Sequence, residues 1–220
     1  MEPLTILALA TLWNAPKIIK GIQEMIKEAD KPARPNSNAS KATTPRTSKI
    51  ITVAGRSSVG KSSLCNALIG RSVFATGIEQ GTTRGLHKQP FVDGWEIQDT
   101  PGLLDDSSYW QTTRKAMLRS KLVVYVTTGQ LYRSEQELLK EMHSMHSTRI
   151  PLLVLLNMQD LKLRTMPSSE RRRELDALQA QLPFLPKEHI YIGSSSPSDG
   201  SQADIQHFKS ALIHLLSQSV

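Results

Sequence analysis

A chain of 220 residues with 39% hydrophobic content can bury one substantial core and leaves roughly 50 residues over. The single cysteine, Cys65, excludes an internal disulfide and a cysteine zinc cluster, and fits a reducing compartment. A net charge of +7 points to an anionic partner without choosing among nucleotide, nucleic acid and an acidic membrane surface. The first predicted element, LTILALATLW at residues 4–13, is a largely apolar run of ten residues, where an α-helix needs about 20 to cross a bilayer. Glu2 precedes it and no lysine or arginine does, which argues against a secretory signal.

From Asn14 and Pro16 the spacing predicts a helix with Ile18, Ile19, Ile22, Met25, Ile26 and Ala29 on one stripe. Lys17, Lys20, Glu24, Lys27 and Glu28 supply much of the other face. Residues 1–30 therefore read as an amphipathic extension that lies on a membrane, against a partner helix, or on its own domain. Residues 31–48, KPARPNSNASKATTPRTS, hold four cations, three prolines and no acid. Such a segment buries too little to offset its ordering entropy and reads as a flexible basic linker, whose charge serves solubility or attracts anionic lipid.

Residues 49–220 read as one α/β domain. Strands are expected at 50–54, 88–92, 96–99, 122–127, 152–157 and 189–192, and helices at 61–69, 108–119, 134–146, 168–181 and 202–217. Asp93-Gly94 separates the second and third strands and signals a hairpin. The expected sheet is six-stranded and mostly parallel, with one antiparallel strand and helices on both faces.

Between the first strand and first helix stands GRSSVGKSS, residues 55–63. A glycine-rich turn feeding a helix start offers backbone N–H donors and a partial positive charge to phosphate. Gly55, Ser57, Ser58, Val59, Gly60, Lys61, Ser62 and Ser63 are the predicted cradle, with Lys61 on the β- and γ-phosphates and the Ser62 hydroxyl on Mg²⁺. This loop alone leaves ATP and GTP open. At the end of the third strand, DTPG (99–102) places Asp99 in the Mg²⁺ shell and the Gly102 N–H at the γ-phosphate. In GTTR (81–84), Thr83, or failing it Thr82, completes the metal coordination when a γ-phosphate is present. Cys65 reads as a small buried residue rather than a nucleophile.

GRSSVGKSSLCNAL, GTTR, DTPGL and NMQD (157–160), in this order from Lys49 onward, resemble the GTPases of the translation-factor class, most nearly the Era-like bacterial group. The resemblance implies a Ras-like P-loop G domain in which Asn157 and Asp160 recognise guanine, so that GTP and GDP with Mg²⁺ are the expected cofactors. Met158 stands where that family usually has lysine, and keeps an unbranched apolar stem for the base. Ser58 replaces an asparagine associated with a monovalent cation. The fifth family motif falls on Ser194 and Ser195 after the last strand. Leu103 occupies the position where Ras-like relatives carry a water-orienting glutamine, which implies slow hydrolysis resting on Lys61, Thr83, Gly102 and Mg²⁺, with a partner or second copy to accelerate it.

Three functions fit. A GTP-hydrolysing switch in the cytoplasm, peripheral at the membrane face or held on a protein through residues 1–30, is preferred. A ribosome- or RNA-associated GTPase is the alternative, disfavoured because the chain shows no separate RNA-binding module after the G domain. A P-loop ATPase or small-molecule kinase leaves NMQD unexplained. His143 with His146 and Arg171-Arg172-Arg173 read as solvated faces rather than sites, and Tyr109 with Trp110 either report switch motion or anchor their helix in the core.

Overall fold

The structure is a computed structural model that describes residues 49–76, 85–103, 107–146, 151–158, 165–195 and 203–218, all within the unit Thr47–Val220. The extension 1–30, the linker 31–48, GTTR with Thr82 and Thr83, and Gln159 with Asp160 lie outside the described residues.

Six strands form one sheet: β1 (Lys49–Gly55), β2 (His87–Pro90), β3 (Trp95–Asp99), β4 (Leu122–Thr127), β5 (Leu152–Asn157) and β6 (Ile190–Gly193), in the spatial order β2-β3-β1-β4-β5-β6. Only β2 runs antiparallel, against β3, with His87 opposite Asp99 and Pro90 opposite Glu96. The other pairings are parallel. The expected second strand, 88–92, begins and ends earlier. Asp93 and Gly94 both adopt positive φ, 48° and 78°, as a tight hairpin turn requires. The Phe91 N–H donates to the Trp95 carbonyl and the Trp95 N–H to Val92, each at 2.8 Å, so Val92 is an extra residue in the turn.

The helices are α1 (Lys61–Ile69), α2 (Ser107–Leu118), α3 (Arg133–His146), α4 (Ser168–Gln181) and α5 (Ala203–Gln218). Each expected helix forms, with ends moved by at most one residue. The expected sixth strand loses its first residue because His189 closes a 3₁₀ turn, Lys187–His189.

Alternation along the central strands explains why both faces are covered. Val123, Tyr125, Leu152, Val154 and Leu156 pack with Met117, Leu138, Leu139 and Leu178 of α2, α3 and α4. Leu122, Val124, Val126, Leu153 and Leu155 pack with Leu64, Leu68, Phe208 and Leu212 of α1 and α5. β4 is buried along its whole length, as a parallel strand between two helical layers must be. β1 sits between β3 and β4, so the loop leaving its carboxyl end opens at the middle of the sheet edge where open α/β folds collect ligands.

Candidate functional site

The phosphate loop is shaped by two glycines that no other residue could replace. Gly55 has φ 149°, and a Cβ there would lie 2.2 Å from the Val126 carbonyl of the neighbouring strand. Gly60 has φ 93°, and its Cβ would lie 2.3 Å from Asn157 Nδ2 and 2.8 Å from Ser195 Oγ. Between them Ser57 is half-buried, Ser58 stands exposed at the tip with φ 58°, and the Val59 side chain is buried in the core. Gly60 is the N-cap of α1, with no side-chain cap and no acid in the first turn. The helix start therefore keeps its partial positive charge. Lys61 is buried, and its Nζ donates to the Arg56 carbonyl at 2.7 Å.

The register of β1 against β3 sets Val53 beside Asp99, which brings the two strand ends together. The Ser62 hydroxyl donates to Asp99 Oδ2 at 2.6 Å. A hydroxyl and a carboxylate side by side are the hard oxygen donors that Mg²⁺ prefers, so these residues fit the ion. Thr100 and Thr113 fix the turn that follows, donating to the Val53 and Pro101 carbonyls at 2.9 Å and 3.1 Å. Gly102 is buried. Leu103 is fully buried beneath the loop, and its N–H reaches the Gly55 carbonyl at 3.1 Å.

On the base side, Asn157 at the end of β5 joins two motifs far apart in sequence. Its Nδ2 donates to the Val59 carbonyl at 2.7 Å, and its Oδ1 accepts the Ser195 N–H at 2.8 Å. Ser194 and Ser195 are both buried. Met158 is buried in the cluster shared with α3 and α4, and its N–H donates to the Gly193 carbonyl at 2.9 Å. Beside this junction opens a cleft of about 410 Å³, lined by Ser63, Asn66, Arg71, Ser195, Gln206 and Lys209 among others. Its size suits a nucleoside.

Of the predicted residues, the structure brings together Gly55, Gly60, Lys61, Ser62, Ser63, Asp99, Asn157 and Ser195 at one end of the sheet. Thr83 and Asp160 lie outside the described residues. Three contributors escape sequence reasoning. Asn66 accepts the Val73 and Phe74 N–H groups and donates to the Phe74 carbonyl, each at 2.9 Å, so it shapes the cleft wall. Arg56 and Glu135 meet at 3.6 Å beside the loop. An acid in the first turn of α3 is a legible helix-start signal, but its contact with Arg56 depends on the fold. No cluster of three or more His, Cys, Asp or Glu side chains suited to a metal occurs among the described residues. His143 packs against Phe184 in a tilted ring pair with centroids 5.5 Å apart, and Arg171 pairs with Asp204 at 3.4 Å.

A family model described as a 50S ribosome-binding GTPase matches residues 50–158. GTPase Der of Lactobacillus helveticus is 28% identical over 180 residues, covering 76% of this chain and 40% of Der. GTPase Era of Glaesserella parasuis is 26% identical over 161 residues, covering 66% of this chain and 49% of Era. The chain thus spans less than half the length of these curated relatives. A crystal structure of Era in complex with MgGDPNP and a segment of 16S ribosomal RNA superposes with a TM-score of 0.55 at 20% identity, over 75% of this chain and 56% of that one, and shows the shared fold. The phosphate loop, the Ser62–Asp99 pair and the Asn157 junction occupy that fold in the order the motifs require, and the chain belongs to the Era-like group of translation-factor-class P-loop GTPases.

Proposed function

We propose that this protein binds GTP and GDP and hydrolyses GTP slowly to GDP and phosphate, acting as a molecular switch. The observation that carries the reading is the Asn157 junction, which couples the phosphate loop at Val59 to Ser195 at the wall of a nucleoside-sized cleft. In this reading the N–H groups at the start of α1 and the Lys61 ammonium hold the β- and γ-phosphates. Asp160 accepts from the ring N–H and exocyclic amine of guanine, which adenine cannot offer. Ser62, Asp99 and Thr83 hold Mg²⁺, which when bound neutralises phosphate charge. Thr83 engages only with a γ-phosphate present, so the loop carrying it reports the nucleotide state.

Hydrolysis is slow in this reading because Leu103 is apolar and buried, leaving no side chain at that position to orient water. Electrostatic stabilisation by Lys61 and the Gly102 N–H carries the reaction, and a partner or second copy accelerates it. Calorimetric competition tests the assignment. GTP should displace a labelled guanine nucleotide and ATP should not, with binding lost in Lys61→Ala; equal displacement by ATP would sink the guanine reading.

Two settings compete for the switch. The amphipathic pattern of residues 1–30 and the acid-free linker favour attachment to an anionic membrane face or a protein partner. The description of the matching family model, the Era–RNA complex and the net charge of +7 favour a ribosome or RNA partner. Co-sedimentation with anionic liposomes against co-sedimentation with ribosomes separates them. Among the described residues, no helix is long and apolar enough to cross a membrane.

A further inference from the structure

Arg56 is the second residue of the phosphate loop, and nothing in the nucleotide reading uses its side chain. Its backbone already serves the site twice. The Arg56 carbonyl seats the Lys61 ammonium at 2.7 Å, and Arg56 forms a parallel bridge with Leu103, the residue after Gly102. Its side chain is held by three groups from the segment entering α3. Nη2 donates to the Gln130 carbonyl at 3.2 Å, Nε lies 3.6 Å from Glu135 Oε1, and the guanidinium lies 4.8 Å from the Tyr132 ring centroid.

Glu135 is only 1% exposed and is itself held from two sides. Its Oε2 accepts the Tyr132 N–H at 2.7 Å, the returning half of a helix cap, and its Oε1 accepts the Tyr125 hydroxyl. A carboxylate this deep needs both hydrogen bonds and a compensating cation, and Arg56 supplies the cation. Burial and the neighbouring Glu135 push the Tyr125 phenol upward, so it stays protonated and donating. The guanidinium is thus restrained by one hydrogen bond to a carbonyl, by the charge of Glu135 and by the face of a ring, while its Nε makes no hydrogen bond.

We propose that Arg56 is a positioning residue of the phosphate site: the grip of Glu135, Gln130 and Tyr132 on its side chain fixes the carbonyl that seats Lys61 and the bridge that seats Leu103. The start of α3 thereby sets the geometry of a loop with which it shares no sequence motif. The inference rests on the reading of residues 55–63 as a phosphate cradle, and its test uses a probe that needs no base.

The full chain is titrated by calorimetry with GTP, GDP and tripolyphosphate, each with Mg²⁺ and well below each variant's Tm. Arg56→Ala should weaken all three by about tenfold, equivalent to ~1.4 kcal/mol. Arg56→Lys keeps a cation for Glu135 but loses the flat fork, and should recover part of the affinity. Glu135→Gln should weaken binding in the same direction, and the double variant with Arg56→Ala should be no weaker than Arg56→Ala alone, since both cut one link. Folded variants that bind within twofold of the parent while melting earlier would make the pair a purely structural one and overturn the proposal, as would strictly additive losses. If Arg56→Ala does not fold, Arg56→Lys against the parent decides by the same criterion. A parent that binds tripolyphosphate without preferring guanine removes the guanine reading, and the Arg56 effect is then still read on tripolyphosphate.

Discussion

Asn157 shows how one side chain can tie together two loops far apart in sequence. Its amide donates to Val59 and accepts from Ser195, and in the proposed reading the discrimination among bases belongs to Asp160, the acid that NMQD supplies. Asp160→Asn replaces an acceptor by a donor and should move preference from guanine toward xanthine, whose 2-oxo group needs one. Competition between GTP and XTP for the variant checks this, and unchanged preference for GTP would remove Asp160 from the base site. Cys65 illustrates the opposite case, a reactive side chain with no part in chemistry. Its thiol is fully buried in the core on the α1 face. Burial, and after it the Asp99 carboxylate, push its pKa well above the ordinary thiol value, which disfavours the reactive thiolate. A thiol reagent should leave the native protein unmodified and label one site after denaturation; rapid labelling of the native state would mean the helix opens.

Helix α1 depends on its end as much as on its start. Gly70 closes it in a left-handed conformation, φ 84°, with its N–H on the Asn66 carbonyl at 2.8 Å. The Asn66 side chain then takes both N–H groups of Val73 and Phe74 and gives one hydrogen bond back to Phe74, whose ring is buried under the helix. Asn66→Ala leaves those backbone groups without their partner. It should cost about 2 kcal/mol, a fall of roughly 4–8 °C in Tm. Because the same turn walls the cleft, GTP affinity should fall with it while tripolyphosphate affinity holds. Thermal melts and paired titrations check the two halves, and a loss of both ligands alike would place Asn66 in the phosphate site instead. Arg114 and Glu141 make a further link between elements, pairing α2 with α3 on the face opposite α1.

At the scale of the molecule, the sequence changes character at residue 49, where an acid-free basic stretch gives way to alternating apolar runs. The proposed attachment lies wholly before that change. Half-burying Ile18, Ile19, Ile22 and Ile26 would contribute on the order of several kcal/mol, against ~1 kcal/mol for each linker cation at low ionic strength. Deleting residues 1–30 should therefore release the protein from anionic liposomes and leave GTP affinity within a few-fold, whereas added salt should only weaken the association. An insoluble or nucleotide-free deletion variant would place the helix in the core; unchanged liposome binding would assign the segment to a protein partner.

By itself the sequence determined the six strands and the five helices found among the described residues of 49–220, because period-two and helical periodicities report local backbone geometry. It determined the phosphate loop for a similar reason, since the positive φ at Gly60 and the helix start after it are properties of a few adjacent residues. The Asp93-Gly94 turn was legible on the same ground, but the extra residue Val92 beside it was not, because strand register is settled across two chains of hydrogen bonds. Only the tertiary structure decided which residues meet at the edge of the sheet. It put Ser62 against Asp99 across 37 positions, Val59 against Asn157 across 98, and Arg56 near Glu135, which no shared motif links. Contacts of that span are fixed by strand order and by the burial of Leu103 and Met158 in one core, quantities that belong to the packed sheet and leave no period or spacing in the chain.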